Sequence, residues 1–187
     1  MVRVRVLALD TSTPHTSCAL LEDDRVVRER SFEPPAKAGD VLPLALGDLE
    51  GIDAVAVGLG PGSFTGLRVG LAAAKAIAYA RKLPIAGASS LQAIAAAERG
   101  LVYAATEARK GELFVQAFRD GAPQGAVQVV FAADLRLPDG ARLLREPPRA
   151  AAVGLLCLPR LRGASYDASA CFSLAPDYVQ GFPARGG

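Results

Sequence analysis

The chain has 187 residues, of which 51% are hydrophobic and 21% charged, with a formal net charge of +2. Such a chain repays its ordering entropy by burial, which excludes a disordered protein and leaves room for one large domain or two small lobes. Residues 1–100 carry 11 basic and 11 acidic side chains and residues 101–187 carry 10 and 8, a balance that excludes a free-standing nucleic-acid binder built on clustered cations.

The first predicted element is a largely apolar strand over 2–10, followed by a polar turn over 11–15. A second strand runs through 18–21, and Glu22, Asp23 and Asp24 make a hairpin turn into a third over 25–32. Leu42, Leu46 and Leu49 recur at helical spacing over 40–49. A buried strand over 53–58 leads into a long helix over 63–82, then a short strand over 84–88 and a helix over 89–98. The predicted order is therefore β-β-β-α-β-α-β-α.

The segment from Leu101 repeats the opening of the chain at an ungapped offset of 97, which sets Glu107 on Asp10, Asp120 on Asp23 and residues 113–118 on 16–21. The repeat predicts two related lobes, 1–100 and a truncated 101–187. The second holds a strand over 128–131, a short segment at Asp134, a strand over 142–145 and an apolar helix over 150–161. The uncharged stretch 84–97 is too short to cross a bilayer. Arg3 and Arg5 precede too short an apolar run for a secretory signal. Three cysteines without CxxC spacing fit a reducing compartment. A cytoplasmic protein, away from membranes, is expected.

The sharpest motif is the glycine run Gly58, Gly60, Gly62 and Gly66 with Pro61, Ser63 and Thr65, between a buried strand and the long helix. Glycine allows positive φ and close backbone approach, and Ser63 or Thr65 can cap the helix. The lysine of a P-loop is absent, and Ser63 stands where the third Rossmann glycine belongs. A phosphate cradle and a tight strand-to-helix connection both fit. Asp10, Thr11, Ser12 and Thr13 end the first strand, where they suit either a metal-nucleotide or a local turn. His15 is the single histidine, which excludes a metal site of paired histidines, and a triad would have to combine it with Ser12 or Ser17.

The long helix is apolar on two sides: Phe64, Leu67, Leu71 and Ala78 cover one, and Val69, Ala73, Ile77 and Ala80 the other. Gly66, Gly70, Ala74 and Ala78 form a shallow ridge suited to close helix approach. Burial under the same lobe and a partner interface both fit; the interface would comprise Leu42, Leu46, Gly66, Leu67, Gly70, Leu71, Ala74 and Ala78. Over 136–162 six arginines face two acids, which fits a solvated surface or a minor contact with a nucleic-acid backbone.

The runs 7–13, 58–70, 87–91 and 107–114, in this order, resemble the TsaB (YeaZ) family of bacterial tRNA threonylcarbamoyladenosine biosynthesis proteins. The resemblance implies an α/β, actin-like or sugar-kinase-like (ASKHA, ribonuclease H-like) fold of two lobes with a reduced second lobe. It implies a non-catalytic scaffold that pairs with a catalytic paralogue, TsaD, and works with an ATPase, TsaE, to modify the adenosine beside the tRNA anticodon. No catalytic residue and no metal ligand is then expected. Asp10, Ser12, Gly60, Gly62 and Ser63 would be a vestigial nucleotide site. No cofactor is bound tightly by this chain, while the assembled complex uses ATP and magnesium and alone reaches tRNA. Without its paralogue the chain would form a homodimer. The alternative is a small ATP-dependent phosphotransferase or ATPase of the same fold. The sequence departs from the family where members often carry His or Ser just before a Leu-Pro pair, since here Gly39, Asp40 and Val41 precede Leu42 and Pro43, and in its short second lobe.

Overall fold

Strand β1, Arg5–Asp10, is buried along nearly its whole length, as its run of Val6, Leu7, Ala8 and Leu9 requires of a central strand. The structure, a computed structural model, describes residues 3–40, 42 and 50–179. β2, Thr16–Glu22, and β3, Arg25–Phe32, continue from β1 as an antiparallel meander. β4, Ala54–Gly58, and β5, Ile85–Ala88, add in parallel on the other side, giving the order β3-β2-β1-β4-β5. Because the pleat alternates, Val6, Ala8, Ala19, Leu21, Ala54 and Ala56 line one face of this sheet. Leu7, Leu9, Cys18, Val55 and Val57 line the other.

The predicted helix over 63–82 is α1, Phe64–Arg81, on the second of these faces. The Ser63 side chain caps it by accepting from the Gly66 amide, and Lys82 ends it in a left-handed conformation, φ 52°. Of the predicted helix over 40–49, Asp40 and Leu42 are helical and Leu42 is buried. Leu46 and Leu49 lie outside the described residues. The helix predicted over 89–98 stops sooner: α2 is Ser90–Ala95, capped by Ser89. A turn closes there with Glu98 donating to the Ala95 carbonyl, and Gly100 takes φ +74°.

The second sheet repeats the first. β6, Leu101–Glu107, β7, Glu112–Arg119, and β8, Ala122–Phe131, form an antiparallel meander, and β9, Arg142–Leu144, pairs in parallel with β6, for the order β8-β7-β6-β9. The equivalence reaches the turns. Asp23 and Asp120 both take left-handed φ, 53° and 52°, and their amides donate to the Val4 and Gly100 carbonyls respectively. In return each carboxylate accepts from the Val4 or Gly100 amide. The strand expected over 128–131 is the end of the ten-residue β8, whose first half is disguised by Pro123 and Gly125, residues unfavourable in strands.

Helix α3, Ala150–Leu161, follows β9 in sequence but packs on the first sheet, where Ala150, Val153, Cys157 and Leu161 join Val6, Ala8 and Leu21. Gly154 lets it approach closely, since a Cβ there would meet the Leu21 and Ala8 side chains. Its first turn is capped from a distance. Ser17 Oγ accepts from the Ala150 amide at 2.9 Å, and Glu29 accepts from the Ala151 amide at 2.9 Å while pairing with Arg149. A short helix, α4, Ala168–Ser173, then returns along α1 with Cys171 buried against it. Among the described residues no helix is long and apolar enough to cross a membrane.

Candidate functional site

The C-terminal end of β1 runs into Asp10, Thr11 and Ser12, all buried at 0–1% exposure. One carboxylate oxygen of Asp10 accepts from the Ser12 amide at 2.9 Å and the Ser12 hydroxyl at 2.7 Å. The other accepts from Ser90 Oγ at 2.6 Å, and Ser90 Oγ accepts in turn from the Gly60 amide at 3.1 Å. Burial pushes the Asp10 carboxyl above its ordinary value, against the opposing pull of the Ser90 and Ser12 hydrogen bonds.

The glycine run is fitted to this turn. A Cβ at Gly58 would overlap the Asp10 carboxylate, at Gly62 the Ser12 carbonyl, at Gly66 the Thr11 carbonyl and at Gly70 the Thr11 hydroxyl. Hydrogen bonds close the seat. The Ser63 amide donates to the Ser12 carbonyl at 2.7 Å, Thr11 Oγ1 donates to the Gly66 carbonyl at 2.8 Å, and Ser63 Oγ accepts from the Gly66 amide at 3.2 Å. Asp10, Ser12, Gly60, Gly62 and Ser63 are thus brought together. The amides of Gly60, Ser63 and Gly66, which could otherwise cradle a phosphate, are bonded within the chain. Ser90 is the partner that sequence reasoning missed; its signal was the Ser-Ser pair at 89–90, which also caps α2.

Between the two sheets lies a cleft of about 610 Å³. Thr13, His15, Ser63 and Phe64 line its first side, and Thr106, Glu107, Arg145 and Glu146 its second. Thr106 Oγ1 bridges the halves by donating to the Pro61 carbonyl at 3.4 Å. Glu107, the repeat mate of Asp10, is 80% exposed and faces Arg145 at 3.8 Å. The two repeats therefore treat the same position oppositely, one sealed and one open to water. Ser17 is engaged with α3 rather than with His15. Among the described residues no group of three or more His, Cys, Asp or Glu side chains is arranged to hold a metal. The thiols of Cys18 and Cys157 are buried and pushed up to about 11 by that burial, so they stay protonated and unreactive.

The ridge of α1 faces inward. Leu67, Gly70, Leu71, Ala74 and Ala78 are buried, Gly66 is half-buried, and Leu71, Ala74 and Ala78 pack with Leu7, Leu9, Val55 and Val57. Their contacts are with this chain's own sheet. Phe64, grouped with this side by sequence, is 58% exposed, and it shares the outer side with Arg68, Ala72, Ala76 and Tyr79. The six arginines over 136–162 are each engaged within the chain. Arg142, Arg145, Arg149 and Arg162 pair with Glu98, Glu107, Glu29 and Asp23. Arg136 donates to the Ala133 and Leu135 carbonyls and Arg160 to that of Gly87.

Comparison with known proteins places this geometry. The family model for TsaD, tRNA N6-adenosine threonylcarbamoyltransferase, matches residues 42–133. The tRNA threonylcarbamoyladenosine biosynthesis protein TsaB of Bacillus subtilis is 31% identical over 157 residues, covering 77% of this chain and 67% of that protein. The Escherichia coli TsaB is 37% identical over 123 residues, covering 59% of this chain and 53% of that protein. This chain thus spans about half the length of the Escherichia coli relative. A crystal structure of a Pseudomonas aeruginosa protein, described as similar to peptidase YeaZ, superposes with a TM-score of 0.74 at 25% identity over 95% of this chain and 100% of that one. Two sheets of matching strand order, together with that likeness, make this an actin-like fold of the ASKHA type. On the identity and coverage shared with these relatives, the chain belongs to the TsaB (YeaZ) family of tRNA threonylcarbamoyladenosine biosynthesis proteins.

Proposed function

We propose that the chain serves in tRNA threonylcarbamoyladenosine biosynthesis as a non-catalytic subunit, pairing with a TsaD-type catalytic protein and acting with a TsaE-type ATPase. The observation that carries this reading is the sealed end of β1. A carboxylate and a glycine loop that serve a metal-bound phosphate must offer it free oxygens and free amides; here Asp10 and Ser12 are buried and bonded to each other, and the Gly60, Ser63 and Gly66 amides are bonded within the chain. Glu107, open in the cleft, has beside it no cluster suited to a metal among the described residues. In this reading ATP and magnesium are used by the assembled complex, tRNA is reached through it, and the work is cytoplasmic.

The test is reconstitution with the TsaD-type and TsaE-type proteins of the same source, following modification of the adenosine in tRNA. The mixture is expected to lose activity when this chain is omitted, and the chain alone to have none. Modification by the isolated chain, or tight magnesium-ATP binding with turnover, overturns the reading.

A further inference from the structure

Each sheet ends in an outer antiparallel strand, β3 in the first and β8 in the second, and the two edges are built differently. β3 carries the charged side chains of Arg25, Arg28, Glu29 and Arg30, a common guard against pairing with another chain. β8 is ten residues long, and among the described residues no strand pairs with its outer edge. From Gly121 to Ala133 the chain has no charged side chain. The first half of β8 has its own protection, since Pro123 lacks an amide and the register against β7 shifts between Val115 and Ala117, where Gly125 takes φ +88°. The second half, from Val127 to Phe131, has no such device.

The ladder shows which groups this half offers. The Ala132 amide donates to the Gly111 carbonyl at 2.9 Å, and Val130 and Gln128 lie opposite Leu113 and Val115. By the two-residue alternation of an antiparallel pair, Gln128 and Val130 address β7, while the amides and carbonyls of Val127 and Val129 point away from the sheet. The side chains of Val127 and Val129 share one face with Phe131, which is 45% exposed.

Such an edge fits an antiparallel copy of itself. With a two-fold axis at Val129, that residue meets its own mate and each Val127 meets the Phe131 of the other copy, so every apolar side chain on that face gains an apolar partner. The antiparallel sense also keeps the two Asp134 carboxylates, just beyond the strand, about 30 Å apart. A charged extended segment would find no countercharge along this edge, which favours a neutral strand, and every copy of the chain carries one.

We propose that β8 pairs with β8 of a second copy over Val127 to Phe131, centred on Val129, and so joins the two four-stranded sheets edge to edge. The proposal does not depend on the reading of the chain as a subunit of a modification complex.

The experiment follows sedimentation of the full chain over a concentration series, for the parent and for Val129→Pro, Gln128→Lys and Gln128→Glu, with circular dichroism melts to confirm folding. Gln128 is exposed, and its two copies would stand diagonally across the joint, roughly 7–8 Å apart. The parent is expected to dimerise as concentration rises. Val129→Pro removes the central backbone bonds of the joint but none to β7, and is expected to weaken dimerisation about tenfold or more. Gln128→Lys and Gln128→Glu are each expected to weaken it when alone, most at low salt, and an equimolar mixture of the two to recover it. A parent that stays monomeric throughout overturns the proposal. So does a dimer that all the folded variants keep, which places self-association elsewhere, and so do charge variants whose mixture recovers nothing. Dimerisation retained, with binding of the TsaD-type protein lost in the same variants, assigns the edge to that partner and likewise overturns it.

Discussion

At Asp10 a carboxylate is enclosed by hydroxyls and an amide, and burial holds its pKa above the ordinary value. Such a group weakens the fold when it ionises: the burden is absent below the unfolded pKa and grows as pH rises through the folded one. The stability of Asp10→Asn relative to the parent is therefore expected to improve from acid to neutral pH, read by urea unfolding at matched pH. A gap that stays constant would show that the carboxylate is not buried in its charged form. The glycines of the seat give a second expectation. Gly62→Ala and Gly66→Ala should each cost about 1–3 kcal/mol, because the clash is with backbone carbonyls that cannot rotate away. Unchanged denaturation midpoints for both would contradict the seat. The position of Asp10 at a strand end is legible in the sequence. Its closure by Ser90, 80 residues away, is not, because no local period reports which serine of a helix start will turn back.

Helix α1 shows why an element can be legible while its orientation is not. Its start, its end and its four-residue spacing of small residues are all read from sequence, but that spacing suits a flat sheet as well as a partner helix, and alanines on both sides blur the apolar stripe. Burial decides it. Ala74→Arg should unfold the chain or cost more than about 3 kcal/mol, since its Cβ sits at 0% exposure among leucines and valines. Ala76→Arg, on the outer side, should leave the melt nearly unchanged; circular dichroism on the pair distinguishes the two sides. Helix α3 is legible as an apolar helix, but its destination is not, because its caps come from Ser17 and Glu29 on other strands. Glu29→Ala, which leaves the Ala151 amide and Arg149 unpartnered, should lower stability by about 0.5–2 kcal/mol. An effect below that range would mean that water replaces the cap without loss.

Across the whole molecule the 97-residue offset carries furthest: it aligns three strands, their order and even the left-handed aspartates of the two turns. What it does not carry is the path of the chain after β9. The stretch 150–161 follows β9 as α1 follows β4, yet it covers one face of the first sheet, while α4 and the segment after it lie along α1. The two halves are thereby expected to unfold together, with hydrogen exchange in β1 and β6 limited by the same global opening. A fragment ending at residue 149 would leave Val6, Ala8, Ala19 and Leu21 uncovered, and should bind a hydrophobic dye and melt without cooperativity. A sharply folding fragment would contradict this coupling.

The late return of α3 also bears on synthesis. The last strand of the first sheet ends at Ala88 and its cover begins at Ala150, about 60 residues later. At roughly 5–20 residues per second this gap lasts about 3 to 12 s. Throughout it a bare apolar sheet face would stand on the nascent chain, so the order of elements creates an interval in which a ribosome-associated chaperone has a surface to hold.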